Sequence, residues 1–166
     1  MKVTENYIFF YGNNDHFSNF YKVDFIVENI KFSCGEQFIM YNKALLFNDL
    51  EIANKILNED SPFIFKKLGR KVKNYDDKKW AASRFNITFN GLYQKYKQNS
   101  DIYNLILDTE CLEIVEASPT DKIWGIGINI NDSNIENKKY WKGGNLLGKI
   151  LMDVRSQLLY EYIETL

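Results

Sequence analysis

The sequence has few of the residues that build disulfide frameworks and metal sites. Its 166 residues include two cysteines, Cys34 and Cys111, and one histidine, His16. The cysteines have no metal-ligand spacing, and a single histidine cannot complete a ligand set with them. The sequence therefore predicts no zinc site and gives no reason to expect a metal or another cofactor.

Long apolar runs are also absent. Residues 1–6 are polar and do not read as a signal peptide, and no apolar run approaches the ~18 residues that a membrane helix needs. Together with the low cysteine content, this predicts a reduced, cytoplasmic protein without a membrane partner.

A strong excess of either charge is missing as well. The formal net charge is −1, so no overall positive field would draw the chain to nucleic acid, and any such contact must be local. Residues 66–79 are basic but include two aspartates, which favours a solvated face. The 45% apolar and 26% charged content is that of a soluble globular protein, and one domain over residues 1–166 is the simplest organisation.

Apolar periodicity and turn signals predict one compact α+β domain. Strands are predicted at residues 7–11, 25–27, 30–32 and 112–116, with a hairpin turn at Glu28-Asn29. Helices are predicted at residues 35–47, 51–57, 62–69, from 76 to about 97, 101–107 and 146–163. Ser33 and Ser61 are the expected N-caps of the first and third helices, and Gly69 is expected to end the third helix in the left-handed conformation.

The first predicted helix carries an acid and an amine on one face. Glu36, Met40 and Lys43 are spaced i, i+4 and i+7, and Phe47 continues the same face. Because buried charges must be matched, this pattern predicts either an internal ion pair or a functional site. Glu36 also has a purely structural alternative, since it stands at the capping-box position relative to Ser33 and would then cap its own helix.

A second candidate region is residues 112–127. An apolar run ends at Glu116-Ala117-Ser118-Pro119, and Asp121 and Trp124 follow, with Trp124 directly before Gly125-Ile126-Gly127. Glycines allow positive φ or a close approach to a bound molecule, Trp124 offers a stacking face, and Asp121 offers a charge or a proton. The alternative is a strand, a Ser-Pro turn and a second short strand that buries Trp124 in the core.

Short motifs follow one another in a fixed order over nearly the whole chain. They are Phe17–Tyr21, Gly35-Glu36-Gln37, Lys43-Ala44, Leu68-Gly69-Arg70, Trp80, Lys95-Tyr96, Glu116–Pro119 with Asp121, Trp124-Gly125 with Gly127, Gly144–Gly148, and Leu151-Met152 with Arg155. In this order they resemble the NADAR family, also described as YbiA-like proteins. Gln37 departs from the pattern, since other members often have His at this position.

The resemblance implies a mostly helical α+β single domain with a small antiparallel sheet. It also implies an N-glycosidase, a hydrolase that cleaves the bond between ribose and a base or amine. Some members are associated with phosphorylated riboflavin-pathway intermediates and others with removing ADP-ribose from modified guanine in nucleic acid. The expected partner is therefore a small ribosyl-phosphate substrate or an ADP-ribosylated nucleic acid. The alternatives are a non-catalytic module that binds a nucleotide or ADP-ribose, and a structural protein with Trp124 in its core.

Three residues are predicted to be catalytic. Glu36 and Asp121 are assigned as a pair of carboxylates that act as acid, base or stabiliser of an oxocarbenium-like sugar, without fixing which does which. Lys43 is predicted either to pair with Glu36 or to form a Schiff base with the aldehyde of a ring-opened sugar.

The remaining candidates are assigned to substrate binding. Trp124 would stack on the base, with Gly125 beside it, and Arg70 would clamp a phosphate because its guanidinium binds phosphate in a two-pronged way. Asn19, Phe20 and Asn145 are assigned to the pocket by their motif positions alone.

Overall fold

The computed structural model describes residues 1–165, which form two compact units. One unit combines the first 18 residues with the chain from residue 100 onward, and the other comprises residues 19–99. The strands are β1 (Lys2–Val3), β2 (Tyr7–Phe10), β3 (Lys22–Val27), β4 (Ile30–Cys34) and β5 (Glu113–Glu116). The helices are α1 (Gly35–Leu46), α2 (Leu50–Leu57), α3 (Pro62–Gly69), α4 (Asp77–Lys97), α5 (Ser100–Leu107) and α6 (Leu146–Glu164), with a 3-10 turn at Lys138–Tyr140.

The α+β class with predominating helices is confirmed. Each predicted helix is present, with ends that differ from the prediction by at most one residue. One domain over residues 1–166 stays a prediction. No helix within residues 1–165 combines the length and the apolar character that crossing a bilayer requires.

In the unit of residues 19–99, β3 and β4 form the predicted antiparallel hairpin. Glu28 and Asn29 at its tip have φ of 49° and 65°, as a two-residue type I′ turn requires. The rings of Phe25, Phe32 and Phe38 then pack together, with centroids 5.0–6.0 Å apart. This aromatic core fixes α1 against the hairpin directly after β4.

Three of the four helices of this unit, α2, α3 and α4, pack around the fourth, α1. Local signals define where they begin. Asp49 and Asp76 each accept a backbone N–H of the first turn of α2 and α4, from Ile52 and Lys79. Pro62 occupies the first position of α3, where its missing N–H carries no cost.

The prediction for Gly69 is wrong. Gly69 belongs to α3 and has no positive φ, and the helix ends at Arg70 with φ of −78°. A Cβ atom at Gly69 would overlap the side chain of Met40 on α1. Glycine is therefore needed here for the close approach of α3 to α1, not for a left-handed turn.

In the other unit, β2 is the central strand of a three-stranded sheet. β1 pairs with β2 antiparallel, whereas β5 pairs with β2 parallel, with Tyr7 opposite Glu113 and Phe10 opposite Glu116. A buried cluster covers the sheet, and α6 packs against β5. The cluster consists of Phe9, Val115, Ala117, Ile126, Ile128 and Ile135. The alternative of a second short strand after Ser118-Pro119 is wrong, because residues 117–137 contain no strand.

Candidate functional site

Glu36 lies in the first turn of α1 and is only 7% exposed. Its backbone N–H donates to the carbonyl oxygen of Asn19 at 2.8 Å. Cys34, not Ser33, is the N-cap residue. Oε1 of Gln37 accepts both the backbone N–H of Ser33 at 2.8 Å and the Ser33 hydroxyl at 3.0 Å. Gln37 thus ties the helix start to β4, and the idea that Glu36 caps its own helix does not hold.

Lys43 lies two turns further along the same face of α1 and is half-buried. Its Nζ stands over the ring of Tyr75 at 4.4 Å from the centroid and over the ring of Trp80 at 5.4 Å. Among the described residues, this amine has no hydrogen bond and no ion pair within 4 Å. The direct ion pair with Glu36 is therefore not formed, and aromatic faces hold the ammonium instead.

The surroundings of Lys43 change its protonation. Burial is the main cause that lowers the pKa of Lys43 from its ordinary 10.5, and Arg70 acts in the same direction. The negative charges of Glu36 and Asp77 raise this pKa but do not cancel the effect of burial. A lowered pKa increases the share of neutral amine near pH 7, and the neutral amine is the form that attacks a carbonyl carbon.

Two aromatic residues of this site, Tyr75 and Trp80, were not assigned to it from the sequence. Trp80 is buried, whereas Tyr75 is 44% exposed and its hydroxyl donates to Asp77 Oδ1 at 2.7 Å. Burial, together with this hydrogen bond, raises the pKa of Tyr75 to about 12, so its ring stays neutral beside Lys43. Trp80 is a motif position of the resemblance, but only the fold shows that its ring lies beside the amine.

Asn19 is buried where α1 begins. Its backbone oxygen accepts the N–H of Glu36, while its side-chain Oδ1 has no hydrogen-bond partner among the described residues. Buried carbonyl oxygens are normally paired, so an unpaired one beside a buried acid suits the hydroxyl group of a ligand.

Phe20 and Arg70 lie near opposite ends of α3. The ring of Phe20 packs edge-on against Phe63, with centroids 5.2 Å apart, and Nζ of Lys66 lies 5.7 Å from the centroid of Phe20. Arg70 directly follows α3, is exposed, and acts electrostatically on Lys43. Its guanidinium can therefore receive an anionic group in the vicinity of the amine.

The other predicted residues lie in the loop after β5. Oδ1 of Asp121 accepts the backbone N–H groups of Ile123 at 2.9 Å and Trp124 at 2.8 Å. The N–H of Asp121 in turn donates to Ser118 Oγ at 3.1 Å. One carboxylate oxygen thus shapes the loop that carries Trp124, and Oδ2 has no hydrogen bond with any residue that the structure describes.

The tryptophan that packs against the buried cluster over the sheet is Trp141, not Trp124. Trp141 contacts the buried cluster, and its Nε1 donates to the carbonyl oxygen of Ile135 at 2.7 Å. Trp124 is half-buried and lies outside that cluster. A purely structural role for Trp124 in the core is thereby disfavoured.

Gly125 and Asn145 make structural contacts with β5 and its end. A Cβ at Gly125 would lie 2.8 Å from the carbonyl oxygen of Glu116 and 2.9 Å from Cβ of Ser118. The side chain of Asn145 accepts the N–H of Glu116 at 3.0 Å and donates to the oxygen of Ile114 at 2.9 Å. Both ends of its amide are occupied by the strand, so its substrate-binding role stays a prediction without support from this geometry.

The predicted site residues are divided between the two units. Within residues 19–99 the structure brings together Asn19, Glu36, Lys43 and Arg70 and adds Tyr75 and Trp80. In the other unit Asp121, Trp124 and Gly125 share one loop. No group of three His, Cys, Asp or Glu side chains within residues 1–165 is arranged to hold a metal ion.

The fold and the site define a mostly helical α+β protein with a buried carboxylate and an amine held on aromatic rings. The NADAR domain model matches residues 9–159. The chain is 39% identical to N-glycosidase R617 of Acanthamoeba polyphaga mimivirus, over 93% of this chain and 97% of that protein. It is also 39% identical to Protein irg-1 of Caenorhabditis elegans, over 93% and 81% of the two chains. The NMR structure of the E. coli protein YbiA matches with a TM-score of 0.79 at 26% identity, over 98% of this chain and 90% of that one. This chain belongs to the NADAR family.

Proposed function

We propose that this protein is a hydrolase that cleaves a ribosyl N-glycosidic bond. Family membership supports the reaction class, since the relative R617 is named an N-glycosidase. The observation that carries the proposal is the half-buried amine of Lys43, which lies on two aromatic rings without a direct ion pair and feels the charge of the buried Glu36.

Glu36 is the first carboxylate of the proposed reaction. Breaking the bond between a base nitrogen and C1′ places positive charge on the sugar, and a carboxylate shielded from water stabilises that charge. The burial of Glu36 supports this role. Asn19 is proposed to accept a hydrogen bond from a sugar hydroxyl, and its buried Oδ1, which has no partner among the described residues, supports this role.

Lys43 is the proposed nucleophile on the ring-opened sugar. Its neutral Nζ adds to C1′, the base leaves with its amine nitrogen and a proton, and a Schiff base joins Nζ to C1′. Water then adds to C1′, which releases the sugar as an aldehyde and restores the free amine. The lowered pKa of Lys43 supports this role because it increases the share of neutral amine.

Asp121 and Trp124 enter the proposal through their motif positions. Asp121 is the proposed second carboxylate and acts through Oδ2, since Oδ1 is engaged in its own loop. Trp124 is the proposed stacking partner of the base. Arg70 is proposed to bind a phosphate of the substrate. These groups suit either a phosphorylated riboflavin-pathway intermediate or ADP-ribosylated guanine in nucleic acid.

A second candidate function is a module that binds a nucleotide or ADP-ribose without cleaving it. The occupied amide of Asn145 and the loop-shaping oxygen of Asp121 favour it, because both side chains have structural tasks. Under this alternative, Glu36→Gln and Asp121→Asn would leave ligand affinity nearly unchanged, and the wild type would show no turnover.

The decisive experiment is a hydrolysis assay read by mass spectrometry. Wild type, Glu36→Gln, Lys43→Ala and Asp121→Asn are each given an ADP-ribosylated guanine oligonucleotide and a phosphoribosylamino-pyrimidine. We expect wild type alone to release free sugar, and its preferred substrate identifies the branch. Activity that survives all three substitutions would refute the site. A folded protein that binds both compounds without turnover would establish the binding module.

A trapping experiment tests the Schiff base separately. Sodium cyanoborohydride added during turnover should reduce the Nζ–C1′ imine to a stable amine, and peptide mapping should find the sugar on Lys43. Lys43→Arg is the matched control, since it keeps the charge but cannot form the imine. Turnover of wild type without a trapped adduct would favour direct displacement by water at C1′.

A further inference from the structure

α3 and the two residues after it carry basic side chains on one face. The face, here called the α3 stripe, consists of Phe63, Lys66, Lys67, Arg70 and Lys71. These residues are spaced i, i+3, i+4, i+7 and i+8, and such positions line one side of a helix. The opposite side of α3 is buried through Pro62, Phe65 and Gly69. The stripe is therefore the outward face of this helix.

The charge of the α3 stripe is not neutralised. None of its four cations forms an ion pair within 4 Å with a residue of the described chain, and no acid occurs in residues 61–75. Nearby lysines do find partners, since Lys73 pairs with Glu51 at 3.0 Å and Lys22 with Asp60 at 3.1 Å. The helix dipole favours cations in the last turn of α3, but it does not require four of them, nor an aromatic residue at the other end.

That aromatic residue is Phe63, which is 62% exposed. Its ring is held edge-on against Phe20 at 5.2 Å, which leaves the remainder of the ring open to solvent. An exposed ring beside a row of cations without ion pairs is the combination that binds single-stranded nucleic acid, because bases stack on the ring and phosphates meet the cations. A membrane surface would need a wider apolar area than Phe63 and Ile64 provide, and an acidic protein would not need the ring.

We propose that the α3 stripe binds a single-stranded nucleic acid, with Phe63 stacked on a base and the four cations along its phosphates. The distance from Phe63 to Arg70 along the helix axis is about 10 Å at 1.5 Å per residue. Arg70 lies near the far end of the stripe and acts electrostatically on the Lys43 amine, so this end of the stripe is the one near the amine. If the proposed function holds, on which this consequence rests, the substrate is a nucleotide within a strand. Because the net charge is −1, the attraction is local to this face.

The test is fluorescence anisotropy with a labelled, unmodified oligothymidylate over a series of salt concentrations. Lys67→Gln/Lys71→Gln should reduce the slope of log affinity against log salt by about 1.4, since each single-strand phosphate contact contributes about 0.7. Phe63→Ala should weaken binding roughly 5- to 150-fold and leave the slope unchanged. The matched control is Lys139→Gln/Lys149→Gln, which removes the same charge from exposed lysines of the other unit and should change neither quantity.

Three results would overturn the proposal. The control pair could weaken binding as much as the stripe pair, a duplex could bind more tightly than the single strand, or phosphatidylserine vesicles could bind where the oligonucleotide does not. Hydrolysis is measured separately. Strand binding without any turnover would leave this inference standing and refute the proposed function. Turnover of a small phosphoribosyl substrate without strand binding would leave the proposed function standing and refute this inference. The variant Lys67→Gln/Lys71→Gln should retain that turnover, which shows that it is folded.

Discussion

Gln37, the residue after Glu36, is held by hydrogen bonds at both ends of its side chain. Its Oε1 accepts from Ser33, and its Nε2 donates to the carbonyl oxygen of Ile56 on α2 at 3.0 Å. Gln37→Ala would leave these buried backbone groups unpaired, at a cost of roughly 1–3 kcal/mol for each group. We expect urea unfolding to show that loss.

The matched control is Glu36→Gln, which keeps the shape of the side chain. It should remove turnover while lowering the free energy of unfolding much less than Gln37→Ala. An equal loss of stability in both variants would mean that Glu36 stabilises the fold and is not specific to the reaction. Comparing the variants at residues 36 and 37 therefore distinguishes a structural role from a chemical one.

Lys43 should give the reaction its dependence on pH. If the neutral amine attacks C1′, kcat/KM rises with pH, and its half-point lies below 10.5 because the pKa of Lys43 is lowered. Arg70→Gln removes a positive charge that lowers this pKa, so the half-point should move to higher pH. Asp77→Asn removes a negative charge that raises the pKa, so the half-point should move to lower pH. Full pH–rate profiles of the three proteins measure both shifts.

The two shifts must have opposite signs. Profiles that move together, or not at all, would show that a group other than Lys43 controls the rate. Arg70→Gln is expected to raise KM as well if its guanidinium binds phosphate. The direction of the pH shift still separates its electrostatic effect from that loss of binding.

Helical spacing and motif order were sufficient to place Glu36 and Lys43 on one face of α1. Periodicity could not show that Gln37 takes over the capping task, because the choice depends on where the carbonyl oxygen of Ile56 lies in the folded unit. The position of Tyr75 beside Lys43 could not be predicted from the sequence either. Its role depends on the direction of a ring in the segment before α4, and no spacing rule encodes that direction.

At the scale of elements, α6 packs against β5 at one point of close approach. A Cβ at Gly148 would overlap the carbonyl oxygen of Ile114, and backbone cannot move aside as a flexible side chain can. Substitutions that overpack a site lower the free energy of unfolding by roughly 1–3 kcal/mol, and we expect the loss for Gly148→Ala to lie near the upper end of this range. Thermal or urea unfolding measures this loss.

Gly144→Ala is the matched control for Gly148→Ala. The nearest atom to a Cβ at Gly144 is the oxygen of Ile123 at 3.9 Å, which is ordinary contact. Its free energy of unfolding should stay within about 0.5 kcal/mol of wild type. A similar loss in both variants would show that glycine at these positions serves something other than the approach of α6 to β5.

Local chemistry explains which elements could be predicted. The turn residues Glu28-Asn29 specify the β3–β4 hairpin, and Asp76 and Pro62 mark helix starts, so these elements follow from short stretches of chain. The parallel pairing of β2 with β5 joins strands separated by most of the chain. Its direction depends on how the intervening residues fold, and no local signal in either strand specifies it.

At the scale of the whole molecule, the residues 19–99 form one unit and interrupt the chain of the other. At the second junction the helices follow each other closely, since α4 ends at Lys97 and α5 begins at Ser100. The pairing of β2 with β5 joins the chain on either side of this insertion. If residues 19–99 unfolded alone, the pairing would have to close a loose loop of about 80 residues, at roughly 4 kcal/mol. That is a large part of the 5–15 kcal/mol that stabilises a typical protein.

We therefore expect one cooperative unfolding transition for the whole chain. Trp80 reports on residues 19–99, while Trp124 and Trp141 report on the other unit. Trp124→Phe/Trp141→Phe leaves the first reporter, and Trp80→Phe leaves the other two. Within each variant, the urea midpoint from tryptophan fluorescence should coincide with the midpoint from far-ultraviolet circular dichroism. Comparison within one variant removes any effect of the substitution on stability. Fluorescence midpoints that separate from the dichroism curve, in opposite directions in the two variants, would show that the chain contains two independently folding domains.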